Sequence, residues 1–370
     1  MKLIAILTIL LIILGILENY FNYRNLKKIP IRILVNGTRG KTSVTKLLTT
    51  TFQTYGISTI AKTTGSQALV VERDGKVVPF IRKRGSRLTE LIPFIRYCAN
   101  EKVECIIVEC MALRLENQAI LAKRILRPTH VLITNSYVDH IAEIGNTIDK
   151  TTYTLSQSVP KQSHLFINGD FNLKYISKDI NITKSELVGT LDNFSENFNT
   201  FPENISLSAS VANNFNIPLD FLEKASYRVI LDIGMHQKFI CPNGAVFFSS
   251  FSANDITSLS KTINNNGIDK YNSINFIFNN RLDRQYRVKQ FSNLLKSLDI
   301  PLNIFIIGEN SKMISRYFRK NNKTQVREIS DILILRKIMD KCDNNTVFIG
   351  IGNIKGQGTK LIQTFTGDQK

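Results

Sequence analysis

The run Ile31-Arg32-Ile33-Leu34-Val35-Asn36-Gly37-Thr38-Arg39-Gly40-Lys41-Thr42-Ser43 reads as an apolar strand that turns through two glycines into Gly-Lys-Thr and then a helical pattern. Glycines let backbone N–H groups point inward without a Cβ clash, and the following helix presents its positive end. Lys41 adds a point charge and Thr42 a hydroxyl suited to Mg²⁺, so the segment Gly37, Thr38, Arg39, Gly40, Lys41, Thr42 and Ser43 is a candidate phosphate cradle. The usual spacing of such loops asks for a further glycine at position 35, where Val35 stands. A plain glycine turn between a strand and a helix is the alternative reading.

The shorter loop Gly-Thr-x-Gly-Lys-Thr resembles the ATP loop of the Mur ligase superfamily, amide-bond-forming enzymes that include the folylpolyglutamate synthases. Further along, Ala61-Lys62-Thr63-Thr64-Gly65-Ser66, Val108-Glu109-Cys110-Met111-Ala112 and Thr134-Asn135-Ser136-Tyr137-Val138-Asp139-His140 follow in the order of one branch, the membrane-bound poly-γ-glutamate synthase ligase of bacterial capsules. Asn254-Asp255, Asn279-Asn280-Arg281-Leu282-Asp283-Arg284 and Gly350-Ile351-Gly352-Asn353-Ile354 resemble that branch's C-terminal motifs. The resemblance covers most of the chain from about residue 30 onward.

Alternating apolar runs and helical stretches read as an α/β protein with a boundary near residue 226 and a membrane anchor over 1–24, and the resemblance implies that 25–225 is a Mur-ligase-like P-loop ATPase domain and 226–370 a smaller C-terminal Rossmann-like α/β domain. Such a ligase uses ATP and Mg²⁺ to convert a carboxylate into an acyl phosphate, which an amine then attacks. Phosphoryl transfer relies on positioning and charge neutralisation, so it needs a phosphate loop, cations and metal ligands. Glu109 ends an apolar strand at the edge where ligands of open α/β sheets gather. It resembles the family's Mg²⁺-binding glutamate; a strand-end carboxylate is otherwise a cap or a solvated charge. His140 matches a second metal ligand, although imidazole is an unusual partner for Mg²⁺, and Asp139 would hold its tautomer or bind water on the metal. Asn204 matches an adenine-side asparagine, with a helix N-cap as its alternative.

Lys62, Thr63 and Thr64 follow the second strand, where the family places groups that face nucleotide or amino acid. In the C-terminal part, Arg281 would reach phosphates while Asp255, Asp283 and Arg284 orient the incoming amino acid; as ordinary loop charges they need no such role. The Gly350–Gly356 stretch has the wrong glycine spacing for a dinucleotide loop and reads as a tight turn at a strand end. Two family features are missing: the Mur ligases' separate domain for a nucleotide-linked sugar, and a clear counterpart of their carbamylated lysine.

Composition agrees with this outline. A chain of 370 residues, 43% of them hydrophobic, can bury more than one core. Its five cysteines lack any repeated C-x-x-C spacing, which argues against a disulfide framework or zinc site. Alternating apolar runs predict strands at 31–36, 57–61, 103–109, 130–134, 164–168, 274–279, 302–307 and 347–350. Helices are expected at 205–215, 283–298 and 331–341, and a Ser/Thr/Asn-rich break spans about 174–204.

Residues 3–17 are almost wholly apolar, followed by Tyr20, Phe21 and Tyr23, which reads as a membrane helix with an aromatic belt. A secretory signal peptide is the competitor, because the run is shorter than about 20 residues. Against it stand a single Lys2 before the run, no small-x-small cleavage site, and Arg24, Lys27 and Lys28 beyond it, a bias that puts the bulk of the chain in the cytoplasm. The net charge of +18 would suit nucleic acid, anionic lipid or an acidic substrate. No nucleic-acid module is visible, which leaves the membrane and the acid. The cluster Arg82-Lys83-Arg84-Gly85-Ser86-Arg87 would neutralise carboxylates or simply be a solvated turn.

The expected partners are therefore glutamate, the growing poly-γ-glutamate chain, the membrane and other membrane subunits of a capsule synthase. The alternatives are a same-fold ligase acting on another acid acceptor, as folylpolyglutamate synthases do, or a non-catalytic membrane-tethered nucleotide switch.

Overall fold

Runs of β-branched and aliphatic residues too short for helices become buried strands when helices cover both faces of a parallel sheet. That is the plan of both halves of the chain. The computed structural model describes residues 2–64, 68–82, 85–139, 143–169, 171–185, 202–229, 237–251, 259, 263, 267–282, 286–298, 302–319 and 324–367. The chain divides into two units, Met1–Ile230 and Leu231–Lys370.

In the first unit, helix α1 (Lys2–Lys27) precedes β1 (Ile31–Asn36), α2 (Lys41–Tyr55) and β2 (Thr59–Thr63). Next come β3 (Leu69–Val71), β4 (Val77–Pro79), α3 (Leu91–Asn100), β5 (Cys105–Glu109), and α4 (Leu115–Ile120), which runs into a π-helix at Leu121–Leu126. The unit continues through β6 (His130–Ile133), α5 (Ile148–Ser156), β7 (His164–Asn168), β8 (Ile182–Ser185), α6 (Pro202–Asn214) and α7 (Leu219–Arg228). The eight strands lie in the order β4-β3-β2-β5-β1-β6-β7-β8, parallel except for the antiparallel β3 and β4. One face carries α1, α3 and the π-helix over a core that includes Leu34, Ile106 and Val131. The other carries α2 and α6 over Ile33, Val35, Phe52 and Leu207.

The second unit is built from β9 (Gln237–Ile240), β10 (Val246–Ser249), β11 (Ser273–Asn280), α8 (Tyr286–Ser297), β12 (Leu302–Gly308) and α9 (Ser311–Arg319). It ends with β13 (Thr324–Glu328), α10 (Ile332–Asp340), β14 (Thr346–Gly352) and α11 (Gln357–Thr366). Its sheet order is β13-β12-β11-β14-β10-β9, with β9 antiparallel and a phenylalanine-rich core on each face.

Most expected strands are present, with informative shifts. The second strand runs over 59–63 and not 57–61, because Gly56 at φ 103° closes α2 and the Ile57 N–H donates to the Phe52 carbonyl, a helix-capping arrangement that uses up those residues. The stretch expected to break the rhythm contains the edge strand β8, paired to β7. The hairpin of β3 and β4 lies outside the expected strands, since three-residue strands carry too little periodicity to read. The expected helix at 205–215 begins earlier, at Pro202, where proline's missing N–H costs little. Among the described residues one helix, α1, is long and apolar enough to cross a membrane, and all five cysteines are free thiols.

Candidate active site

Parallel strands deliver their last residues to a common edge, and in the first unit that edge collects β1, β2, β5, β6 and β7. Val35 pairs with Glu109 and Asn36 with Ile133, so the loop after β1 opens between the ends of β5 and β6. Gly37 takes φ 123° and Gly40 φ 81°, values that favour glycine. A Cβ on Gly37 would strike the backbone and hydroxyl of Thr134, and one on Gly40 would sit 2.5 Å from Asn204 Oδ1. The loop can be made only by glycine at these two places. Gly40 precedes the first turn of α2 and no side chain caps that helix, which leaves its first N–H groups for a ligand.

Thr38 and Arg39 are held by the two residues that follow β6. The Thr38 hydroxyl donates to Asn135 Oδ1 at 2.6 Å, the Arg39 N–H donates to the same oxygen at 3.0 Å, and Asn135 Nδ2 donates to the Arg39 carbonyl at 3.1 Å. The Thr134 hydroxyl also donates to the Arg39 carbonyl. The Arg39 guanidinium lies 3.0 Å from Asp139, a buried carboxylate. Asn36 supports the loop from below, accepting the Gly37 N–H at 2.8 Å and donating to Gln118 and Ser158.

Lys41 folds back so that Nζ donates to the Gly37 carbonyl at 2.6 Å and the Thr38 carbonyl at 3.4 Å. Burial lowers its pKa while Glu109 pulls in the opposite direction. Glu109 is 3% exposed. Its Oε2 accepts from the Thr42 hydroxyl at 3.0 Å and from the Thr64 backbone N–H at 2.9 Å. The end of β5, the first turn of α2 and the end of β2 thus meet at one carboxylate. Ser43 follows on the same helical turn.

The remaining candidates are distributed differently. Lys62 is fully buried and donates to Glu90 at 2.6 Å, above the Phe80 ring at 4.5 Å. Arg82 shares that carboxylate at 3.0 Å. Desolvation lowers the Lys62 pKa, and hydrogen bonds from Arg82 and Lys62 hold Glu90 below the usual carboxylate range despite its burial. Lys62 therefore sits in a buried ion cluster, while its neighbour Thr63 has a buried hydroxyl. Asn204 is the third residue of α6 and not its cap; its side chain lies against Gly40. His140, Gly65, Ser66, Lys83 and Arg84 lie outside the described residues.

In the second unit, Arg281 directly follows β11, whose last residues Asn279 and Asn280 are buried. Asn279 Nδ2 donates to the carbonyls of Asn353 and Lys355, and Asn280 Nδ2 to the Glu309 carbonyl at 2.7 Å. Gly352 ends β14 at φ 97°. Asp255, Asp283 and Arg284 lie outside the described residues.

Glu90 was not singled out from the sequence, and Asn36, Thr134 and Asn135 stood only inside quoted motifs with no role of their own, although each helps hold the loop or its neighbours. Their signal is positional: Asn36 and Thr134 end or directly follow apolar strands, as Glu109 does.

The donor set fits a nucleotide and a hard cation. Two glycines clear space for phosphates, a hydroxyl and a carboxylate meet beside them, and oxygen ligands are what such a cation takes. Residues 35–218 match the Mur ligase middle domain, and residues 241–368 match the poly-gamma-glutamate synthase CapB C-terminal domain. The chain is 27% identical to the PGA synthase CapB of Bacillus subtilis (strain 168), covering 98% of this chain and 97% of that protein. It is 29% identical to the capsule biosynthesis protein CapB of Bacillus anthracis, covering 99% and 83%. A solved bifunctional folylpolyglutamate synthase/dihydrofolate synthase with Mn, AMPPNP and L-glutamate bound shares the fold at TM-score 0.66 and 13% identity, over 95% of this chain and 92% of that one. With one of the two family matches falling in each unit and the Gly37–Ser43 loop at the edge of the first sheet, the chain belongs to the Mur ligase superfamily of ATP-dependent amide ligases.

Proposed function

We propose that this chain is a membrane-anchored, ATP- and Mg²⁺-dependent ligase that activates a glutamate carboxylate as an acyl phosphate and joins it to another glutamate, building poly-γ-glutamate. The observation that carries the reading is the meeting of Thr42, Glu109 and the Thr64 N–H beside the Lys41 loop. The name of the Bacillus subtilis relative and the family matched by residues 241–368 supply the polymer.

Bound Mg²⁺ would neutralise phosphate charge and align the reacting groups. Thr42 and Glu109 are the residues that would hold it here, with His140 as the further proposed ligand. Lys41, which now donates to the Gly37 and Thr38 carbonyls, would turn its ammonium to the nucleotide's phosphates and offset charge that develops during transfer. The uncapped N–H groups of α2 face the same charge. Asn135 and Asp139 hold the loop backbone and Arg39 in place, so the cradle is formed before the nucleotide arrives and little ordering remains to be done on binding. The Thr64 N–H fixes Glu109 from the end of β2, and Asn204 packs against Gly40. In this reading α1 holds the chain in the membrane with both units in the cytoplasm, next to other membrane subunits, and the strongly basic composition suits an acidic product.

The test uses membranes containing the full chain. Addition of glutamate should accelerate ADP release, and hydroxylamine should trap a γ-hydroxamate. ADP release that ignores glutamate and a panel of acidic peptides, with membrane partners supplied, would leave a nucleotide switch in place of the ligase.

A further inference from the structure

Helix α1 does not end in a linker. From Leu3 to Phe21 its large apolar side chains are exposed, but one turn later it is built into the first unit. Asn22 is buried and donates to the Ile125 carbonyl of the π-helix at 2.8 Å, and Leu26 and Ile29 join the core beside Phe94, Ile125 and Leu126. Arg32 closes the joint, donating to the Ile29 carbonyl at 2.7 Å and to the Arg127 carbonyl at 2.9 Å. The helix and the first unit therefore form one continuous body at this joint.

That joint fixes a depth. The apolar run ends at Leu17, and the five residues to Asn22 rise about 7.5 Å at 1.5 Å each. The polar layer on each side of a bilayer is roughly 5–8 Å thick. If α1 spans the membrane, the π-helix hydrogen-bonded to Asn22 lies at the depth of the lipid headgroups, although it is 103 residues away in sequence. Two of its six residues, Lys123 and Arg124, are exposed cations, and it carries no acid. Arg127, just beyond it at φ 47°, stacks over Tyr23 at 4.9 Å, and Lys27 stacks over the same ring at 4.8 Å. Arg24 and Lys28 are exposed on the same segment, and Glu18 is the one acid in α1.

We propose that Arg24, Lys27, Lys28, Lys123, Arg124 and Arg127 form a collar that binds anionic lipid headgroups and so sets the orientation of the first unit against the membrane. The proposal rests on the reading of α1 as a span. Its partner is the headgroup surface itself, chosen by sign of charge and by the depth at which the joint holds the cations. Basic residues beside a span are usually neighbours in sequence; here half of the collar is delivered by a distant segment through tertiary packing.

The test reconstitutes the full chain in vesicles of phosphatidylcholine alone or mixed with phosphatidylglycerol. An impermeant amine reagent then labels Lys123 and Lys28, with Lys224 on the opposite face of the sheet as internal reference. Anionic vesicles should slow labelling of Lys123 and Lys28 roughly fivefold relative to Lys224, the factor that about one cation's attraction to such a surface gives. The protection should fade as salt shortens the screening length, and Arg124→Glu should weaken it at Lys28. Equal labelling in both vesicles, with the chain resistant to alkaline carbonate extraction, overturns the collar while leaving the span. Release of the chain by carbonate overturns the span, and the collar with it.

Discussion

The carboxyl edges of the two sheets use the same parts and end in different chemistry. In the first unit, β1 leads through Gly37 and Gly40, both at positive φ, into α2. In the second, β14 leads through Gly352 and Gly356, also at positive φ, into α11. After the first pair come Lys41 and Thr42, and the neighbouring strand ends supply Glu109 and Asn135 around the loop. After Gly352 comes Asn353, which fills its own turn: its Oδ1 accepts from Arg287, its Nδ2 donates to the Asn279 carbonyl at 3.2 Å, and its carbonyl accepts from Asn279. A Cβ on Gly358 would lie 2.9 Å from Asn279 Nδ2. The first glycine loop leaves its helix N–H groups uncapped, which suits the proposed ligand, and the second is filled by the protein's own amides, so glycines before a helix do not by themselves make a phosphate site.

The contrast breaks most visibly at Lys41. Lys41→Ala should leave a folded chain whose ATP turnover falls by about 10²–10³-fold, as when a preorganised cation facing transition-state charge is removed. Turnover near that of the unaltered protein in a folded Lys41→Ala chain would remove the loop from the chemistry.

A smaller effect is expected at the carboxylate. Glu109→Gln keeps an oxygen for Thr42 and Thr64 but loses the charge that a hard cation prefers. The Mg²⁺ concentration needed for half-maximal activity should rise by about 10- to 100-fold, in the range seen when groups around a metal are altered. An unchanged Mg²⁺ titration would take Glu109 out of the metal site.

The smallest effect sharpens the other side of the comparison. Asn353→Ala removes a buried amide that partners Arg287 and Asn279, which should cost about 1–3 kcal/mol of stability and lower the melting temperature of the second unit. Nucleotide binding by the first unit should be untouched. If Asn353→Ala instead abolishes nucleotide binding in a protein that melts normally, the division between a ligand edge and a structural edge is wrong.

The sequence by itself determined what is written in contiguous residues: the glycine loop from Gly37 to Ser43 that opens a helix, the apolar strands that bring Glu109 and Asn135 to an edge, and an apolar helix near residues 3–17. These are local signals, in which glycine backbone freedom, hydrophobic period and the residue at a strand's end are readable side by side. Tertiary structure alone decided the partners. Arg39 meets Asp139, Lys62 gives its charge to Glu90, Asn204 packs on Gly40, and Asn22 reaches Ile125. Each pair joins residues 28 to 164 positions apart, and which pairs meet depends on the strand order β2-β5-β1-β6 and on which helices cover each face. Hydrophobic burial drives that packing without direction, so no local pattern marks which polar groups it will bring face to face.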